Sequence, residues 1–582
     1  MYLKESVFVG SLLLNFTSVF VSLGVFIFGF EQGVMSSLLT NKYFKQYYNE
    51  PTPFEIGTMI AILEVGALFS SVVAGKVGDK IGRRRTIRYG AFIFAFGGLI
   101  QATSINIFTL SVGRLISGIA IGLLTTIIPC YQSEISPPED RGFYGCLEFS
   151  GNIVGYSLSI WVDYGFSFIE SNVSWRSPLF VQFLIGTLLW SGSFIIVETP
   201  RWLLDHNHDC EGMIVIADLY ADGDILDDHA KSEYRNIKES VLLARIEGGE
   251  RSYQYLFTKY TKRLSVACFS QMFAQMNGIN IISYYAPMIF ESAGWIGRQA
   301  ILMTGINSII YFLATIPPWF LVDDWGRKPL LMSGALLMGI PLYIVAWSLW
   351  KSDEHTPSIV VVSIIITNAA FGYSWGPIPW LMSEVFPNSV RSKGAAMSTA
   401  TNWLFNFIVG EMTPILLHSI QWRTYLIPAT SCMLSFFCVH FLFPETKGLS
   451  LEDMGSVFDD NSSVFSFHSS GVRSNDESRS RSFSVDTSAM NQSAASLARN
   501  PANMAFPDGI IGSIPSIPVP SSVSGKLDAS SDALVSDSVP VEVEPPSPEE
   551  IMKFKKEENA NSIFSFLFSR SKQTDETTRL LA

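Results

Sequence analysis

Apolar residues in this chain come in long runs, separated by short polar loops and one longer polar stretch. The runs fall near 8–34, 56–77, 86–104, 109–131, 143–165, 178–197, 263–291, 299–321, 329–350, 358–382, 392–418 and 422–443. A helix needs roughly 20 apolar residues to cross a bilayer, so the pattern predicts twelve membrane-spanning helices. Gly, Pro, Ser and Thr recur inside the runs, as they do in helices that face other helices rather than lipid. The first run is too long for a cleaved leader, has no small-residue cleavage site after it and leads straight into further spans. It reads as the first helix.

The polar stretches set the organisation. Residues 1–200 and 263–448 each hold six of the runs, 201–262 form a polar linker with short helical stretches, and 449–582 are rich in Ser, Asp, Glu and Pro. The last segment has too few large apolar clusters to bury a core and is expected to be disordered. Basic residues gather in alternate short loops, at Arg83, Arg84, Arg85 and Arg88, at Arg141, at Arg327 and Lys328, and at Arg391 and Lys393. The positive-inside rule makes that side cytoplasmic, and an even number of spans puts both termini there.

Composition agrees: 48% of residues are hydrophobic and only 16% charged, too apolar for an ordinary soluble chain of 582 residues. The net charge of −12 offers nothing to nucleic acid, since much of the acid sits in the tail. Six cysteines with no CxxC spacing support neither a disulfide framework nor a metal site. No nucleophile–base constellation or phosphate loop argues for an enzyme, and no cofactor is expected.

Three charged motifs occur twice, in the same order. GKVGDKIGRRR at 75–85 is echoed by Asp323-Asp324-Trp325-Gly326-Arg327-Lys328. Glu134-x-x-Pro137-x-x-x-Arg141 is echoed by Glu384-x-x-Pro387-x-x-x-Arg391, and ETPRWL at 198–203 by PETKGLS at 444–450. The offsets are 244 between Asp79 and Asp323, 250 between Glu134 and Glu384, and 247 between Glu198 and Glu445. Such a repeat, set among lipid-length segments, is the pattern of two-fold transporters. Surface ion pairs contribute about 0–1 kcal/mol each. Two matched sets (Asp79, Arg83, Arg84, Glu134 and Arg141; Asp323, Arg327, Glu384 and Arg391) can instead form a latch between two bundles, made in one conformation and broken in another.

With GRLISGIAIG at 113–122, NGINIISYYAP at 277–287, WGPIPWLMSEVFPNSVR at 375–391 and TNWLFNF at 401–407, these motifs make the chain from about residue 20 to 455 resemble the sugar porter family of the major facilitator superfamily, in wording similar to fungal members. The resemblance implies an all-α membrane protein of two pseudo-symmetric six-helix bundles. It also implies a monosaccharide or polyol held midway between them and alternating access by rocking. Sugars present hydroxyls and apolar C–H faces, so such a site wants amides and an aromatic wall.

Carried over residue by residue, the resemblance implies substrate contacts at Phe28 on span one, at Gln275, Asn280 and Tyr284 on span seven, at Gly376 and Trp380 on span ten, and at Asn402 on span eleven. Two positions depart from the family pattern. Ala274 stands where the family has the first of two glutamines, and Phe149 where it has a span-five glutamine, with Asn152 one turn on as a substitute. Trp403 reads as packing, Glu148 as a salt-bridge partner at the cytoplasmic end of its span, and Asp163 as a solvated residue at the outer end.

Charges inside spans are functional candidates because burying them is costly. Glu31 and Arg114 stand at the family's carboxylate and arginine positions. By resemblance they form a proton-sensing pair, which makes protons a partner and symport the expected mode, with facilitated diffusion or sugar sensing through the tail as alternatives. Glu64 is also within a span and has no role assigned. In the tail, Arg479-Ser-Arg481-Ser-Phe-Ser484 is a kinase-like sequence, and Glu576-Thr-Thr-Arg-Leu580-Leu581 fits a signal for sorting adaptors. The plasma membrane is the favoured location, a vacuolar or endosomal membrane the alternative.

Overall fold

The computed structural model describes residues 9–136, 141–246, 253–292, 294–295, 297–387, 390–447, 458 and 544–556. The side chains of Arg141 and Glu384 lie outside that description, so the two Glu–Arg pairs expected across Pro137 and Pro387 do too. The kinase-like and adaptor-like tail sequences lie outside it as well.

Among the described residues the chain is helical, with no strand. The first half comprises α1 (Gly10–Leu38), α2 (Lys42–Tyr47), α3 (Pro53–Ile81), α4 (Arg83–Ala102), α5 (Ile107–Ile135), α6 (Arg141–Phe166) and α7 (Val173–Gly192). Short helices follow: α8 (Pro200–Asp205), α9 (Asp209–Tyr220), α10 (Asp228–Ile246) and α11 (Tyr253–Lys259). The second half comprises α12 (Thr261–Met276), α13 (Ile279–Ser292), α14 (Arg298–Ala314), α15 (Pro318–Asp324), α16 (Arg327–Lys351), α17 (Thr356–Ala370), α18 (Ile378–Leu381), α19 (Arg391–Ser419) and α20 (Leu426–Leu442). Each of the twelve apolar runs coincides with a helix or a consecutive pair of helices. Seven of these segments are long and apolar enough to cross a membrane. The other five (α4, α6, α7, α12 with α13, and α19) fall short of that length or mean hydropathy.

Helix starts follow local chemistry. Thr52 and Glu55 cap α3 reciprocally, with Pro53 in the first turn, and Asn106 accepts the Thr109 N–H at the start of α5. Three segments are discontinuous. Gly278 takes φ +95° between α12 and α13, a conformation only glycine adopts without strain. The freed joint is held by Asn277, which accepts from Ser431 Oγ at 2.9 Å and donates to Ser435 Oγ at 3.3 Å. Pro317 and Pro318 separate α14 from α15, and a π-helical turn, Phe371–Trp375, precedes α18.

In the first half α1 packs on α6, and α3, α4, α5 and α7 pack on one another; in the second α16 lies against α17 and α20, and α12 against α19. Two seams join the halves. Along the first, α3 meets α19, with Gly57 opposite Glu411 and Pro414 at one end and Gly75 opposite Ser392 and Ala396 at the other. Along the second, α6 meets α14, where Ser157 and Ser308 hydroxyls are 2.9 Å apart. The halves therefore touch both at the face carrying the duplicated motifs and at the opposite face.

Two residues differ from expectation. Asp163 is not solvated: it is 4% exposed, beside Ser37, and neither carboxylate oxygen has a hydrogen-bond partner among the described residues. Packing of α1 and α14 on α6 covers that end of the helix, which a one-helix reading could not foresee. Within the stretch expected to be disordered, residues 548–556 form a helix capped by Ser547 and Glu550. Ile551 from this tail helix is fully buried among Leu204, Met213, Ile214, Ala230 and Tyr234 of α8–α10.

Candidate functional site

The duplicated motifs make the same contacts twice. In the first half Glu198 accepts the backbone N–H groups of Arg83 at 3.0 Å and Arg84 at 3.2 Å, capping α4. In the second half Glu445 accepts those of Arg327 and Lys328, both at 3.0 Å, capping α16. Arg83 and Arg327 pair with Asp79 and Asp323, each at 3.1 Å, and donate to Gly78 O and Val322 O, each at 3.1 Å. Arg83 also bridges to Glu134 at 3.0 Å. Burial pushes the Glu198 carboxyl above its ordinary value, against the Arg84 and Thr199 amides and the Arg83 guanidinium. Capping by a carboxylate at a helix N-terminus is the physical content of ETPR and PETKG.

Contacts between halves come from the aspartates. Asp79 Oδ2 accepts from Ser392 Oγ at 2.8 Å and pairs with Lys393 at 3.3 Å, on the first turn of α19. Asp323 lies against the first turn of α6, where a Cβ on Gly142 would stand 2.6 Å from its oxygens. Each half thus sets a carboxylate on a helix N-terminus of the other. Arg84 takes a different part from the cross-half latch expected of it. Its guanidinium donates to Ser193 O and Phe194 O at 3.2 Å each, because the Glu198 cap turns it towards the end of α7.

A cavity lies midway between the halves. Seven of the eight residues singled out as substrate contacts line it: Phe28, Asn152, Gln275, Asn280, Gly376, Trp380 and Asn402. The joint at Gly278 folds α12 and α13 so that Asn280 Nδ2 donates to Gln275 Oε1, and also to Asn406 Oδ1 at 2.8 Å. Asn402 donates to Gln271 Oε1 at 2.6 Å and Asn152 to Val25 O at 3.1 Å. A Cβ on Gly376 would meet the Phe149 ring. The eighth residue, Tyr284, is outside the lining and reaches it through Gln32, whose amide donates to Tyr284 Oη at 3.1 Å and to Asn280 Oδ1 at 3.4 Å. Trp403 is fully buried, edge-on to Phe28 with centroids 4.9 Å apart, which is the packing role expected. Gln32, Tyr156 and Ser283 also line the cavity and went unnoticed in the sequence. Only Gln32 left a signal, as an amide beside Glu31 inside an apolar run.

A second cavity shares Phe149 and Trp380 with the first, so these two side chains form a partition. Glu148 lines it, together with Gln132, Ser133 and Thr125. Among the described residues no basic side chain pairs with Glu148. Its helix turn faces a cavity instead. Beyond the central cavity, Arg114 Nη1 pairs with Glu31 Oε1 at 2.9 Å, both 1% exposed. Arg114 also donates to Met59 O at 2.7 Å and Ile60 O at 3.0 Å, which fixes it against α3.

The family model for "Sugar (and other) transporter" matches residues 17–458. The chain belongs to the sugar transporter family of the major facilitator superfamily. Members are carriers rather than enzymes. The transporter is 33% identical over 470 residues to the MFS-type transporter criB of Aspergillus cristatus, covering 79% of this chain and 96% of that one. It is also 33% identical over 460 residues to a high-affinity glucose transporter of Kluyveromyces lactis, covering 75% and 83%. The fold is that of the proton:xylose symporter XylE in its complex with a bromodeoxyglucose, at TM-score 0.68 and 24% identity, covering 77% of this chain and 99% of that one.

Proposed function

We propose that this transporter carries a monosaccharide of hexose type, or a polyol, by alternating access and in symport with protons. The observation that carries the reading is the central cavity: buried amides from both halves, which donate and accept at once, beside the Phe28 and Trp380 rings. The likeness to a glucose transporter of Kluyveromyces lactis supports the substrate class, and the likeness to XylE, a proton:xylose symporter, supports the coupling. Phe149 and Ala274 in place of glutamines leave fewer hydroxyl partners than a full hexose site offers.

In this reading the motif face is cytoplasmic and the two Asp-to-helix contacts close it. Trp380 covers an apolar face of the sugar while Gln275, Asn280 and Asn402 exchange their mutual hydrogen bonds for bonds to its hydroxyls. Deprotonated Glu31 holds Arg114; protonated, it releases the guanidinium from that pair and lets the bundles rock. The plasma membrane is the expected location.

The test is uptake of labelled D-glucose, D-xylose and sorbitol into cells lacking their own carriers, at two external pH values. Accumulation against a gradient at low pH, lost in both Arg114→Ala and Glu31→Gln, supports the reading. Uptake that only equilibrates, with both variants unaffected, identifies a facilitator.

A further inference from the structure

Glu64 is the charged residue within a span for which the sequence suggested no role. It sits in the middle of α3 with no exposure at all. Its Oε1 accepts the phenolic hydrogen of Tyr284 at 2.6 Å, and its Oε2 has no partner among the described residues. Tyr284 belongs to α13, in the other half, so this hydrogen bond crosses between bundles. The Tyr284 oxygen in turn accepts from Gln32, and Gln32 bonds Asn280. Three contacts therefore lead from the Glu64 carboxyl to amides that line the central cavity.

On its other side Glu64 adjoins the Glu31–Arg114 pair. Arg114 donates to the carbonyls of Met59 and Ile60, one turn before Glu64 on the same helix. The ionisable groups facing Glu64 are Arg114 from α5, Glu31 from α1, and Tyr284 and Tyr285 from α13, with Glu411 of α19 further along the seam. The basic residues of α4 stand at its far end, from Arg83 to Arg88. Two buried carboxyls thus share one guanidinium, whose Nε, Nη1 and Nη2 are already engaged by Met59, Glu31 and Ile60. A second buried negative charge there would stand uncompensated, which is costly in so dry a place. A proton on Oε2 removes that uncompensated charge.

We infer that Glu64 is a proton-binding site of its own, distinct from Glu31, whose occupancy decides whether the Tyr284 hydroxyl is free to serve the substrate cavity. Ionised Glu64 holds the Tyr284 hydrogen and with it the cross-bundle link. Protonated Glu64 no longer demands that hydrogen, and the phenol can turn it to Asn406 Oδ1, 3.4 Å away in the lining of the central cavity. Proton binding at Glu64 and sugar binding then favour each other, reciprocally. The second half of this inference rests on the cavity being a sugar site; the first half does not.

The experiment uses the full-length protein in proteoliposomes, with infrared titration of carboxyl bands and D-glucose binding measured on the same samples. Without sugar, a protonated-carboxyl band present in wild type, absent in Glu64→Gln and retained in Glu64→Asp supports the proton site. A band unchanged by Glu64→Gln overturns it, whatever D-glucose does. With sugar, wild-type affinity should weaken about tenfold between about pH 5 and about pH 8. In a Glu31→Gln background, which removes the other proton-binding carboxyl, Glu64→Gln should hold one affinity across that range, and Tyr284→Phe should also lose the pH dependence. A pH dependence as large with Glu64→Gln in the Glu31→Gln background as in Glu31→Gln alone refutes the coupling. If D-glucose fails to bind wild type while the band behaves as described, the sugar reading fails and the proton site stands.

Discussion

Asp79 Oδ2 lies 3.3 Å from Lys393 Nζ and 2.8 Å from Ser392 Oγ, so the last turn of α3 grips the first turn of α19 in the opposite half. Asp323 stands in the same relation to the first turn of α6, at Gly142. A carboxylate at a helix N-terminus contributes up to about 2 kcal/mol when partly buried, and two such contacts bias a rocking equilibrium appreciably. Substituting Gly142 by Val should displace Asp323 and open the motif face. In a variant carrying Ser133→Cys as a reporter in the second cavity, maleimide labelling from that face should rise several-fold. Unchanged labelling would mean that Asp323 does not hold the halves together.

Glu198 and Glu445 cap equivalent helices through equivalent backbone amides. Replacing either by Ala should cost about 1–2 kcal/mol, and the two losses should be similar because the geometry is duplicated. Thermal unfolding of each variant in detergent measures this. A large loss for one with none for the other would show that the repeat in sequence is not a repeat in energetics.

Trp380 separates the two cavities. Its replacement by Ala removes an aromatic wall from the central one and merges it with the second. Apparent sugar affinity should fall about tenfold, as expected for losing one stacking contact in a largely enclosed site. Transport kinetics across a concentration series would detect it, and an unaltered half-saturation would mark Trp380 as packing.

Ile551 places the tail helix on α8–α10. Full burial of an Ile side chain is worth about 1.5–3 kcal/mol, so Ile551→Asp should release residues 548–556 from that surface. Hydrogen exchange of the segment in full-length protein should accelerate to the rate of a free peptide. Protection equal to that of wild type would mean Ile551 does not anchor it.

The apolar segments were legible as helices because lipid requires long apolar runs, and the two halves because the charged motifs are local and repeated. The lining of the central cavity was legible through family resemblance more than through pattern: Asn280 and Gln275 look like any polar pair until the joint at Gly278 turns them together. What stayed hidden is what depends on distant partners. Glu64 and Tyr284 are 220 residues apart, and nothing local in either segment announces the bond. Asp163 reads as solvated until α1 and α14 cover it. The tail helix is a short piece in a polar background, and the apolar surface of α8–α10 gives it somewhere to fold.

The most direct test of a sugar cavity between two rocking halves is counterflow of labelled D-glucose, D-xylose or sorbitol into proteoliposomes preloaded with the same unlabelled compound. Wild type should show a transient overshoot for at least one of the three, and Asn280→Ala, which removes the amide joining Gln275, Asn406 and Gln32, should abolish it. No overshoot with any of them, or an overshoot undiminished in Asn280→Ala, would contradict the account.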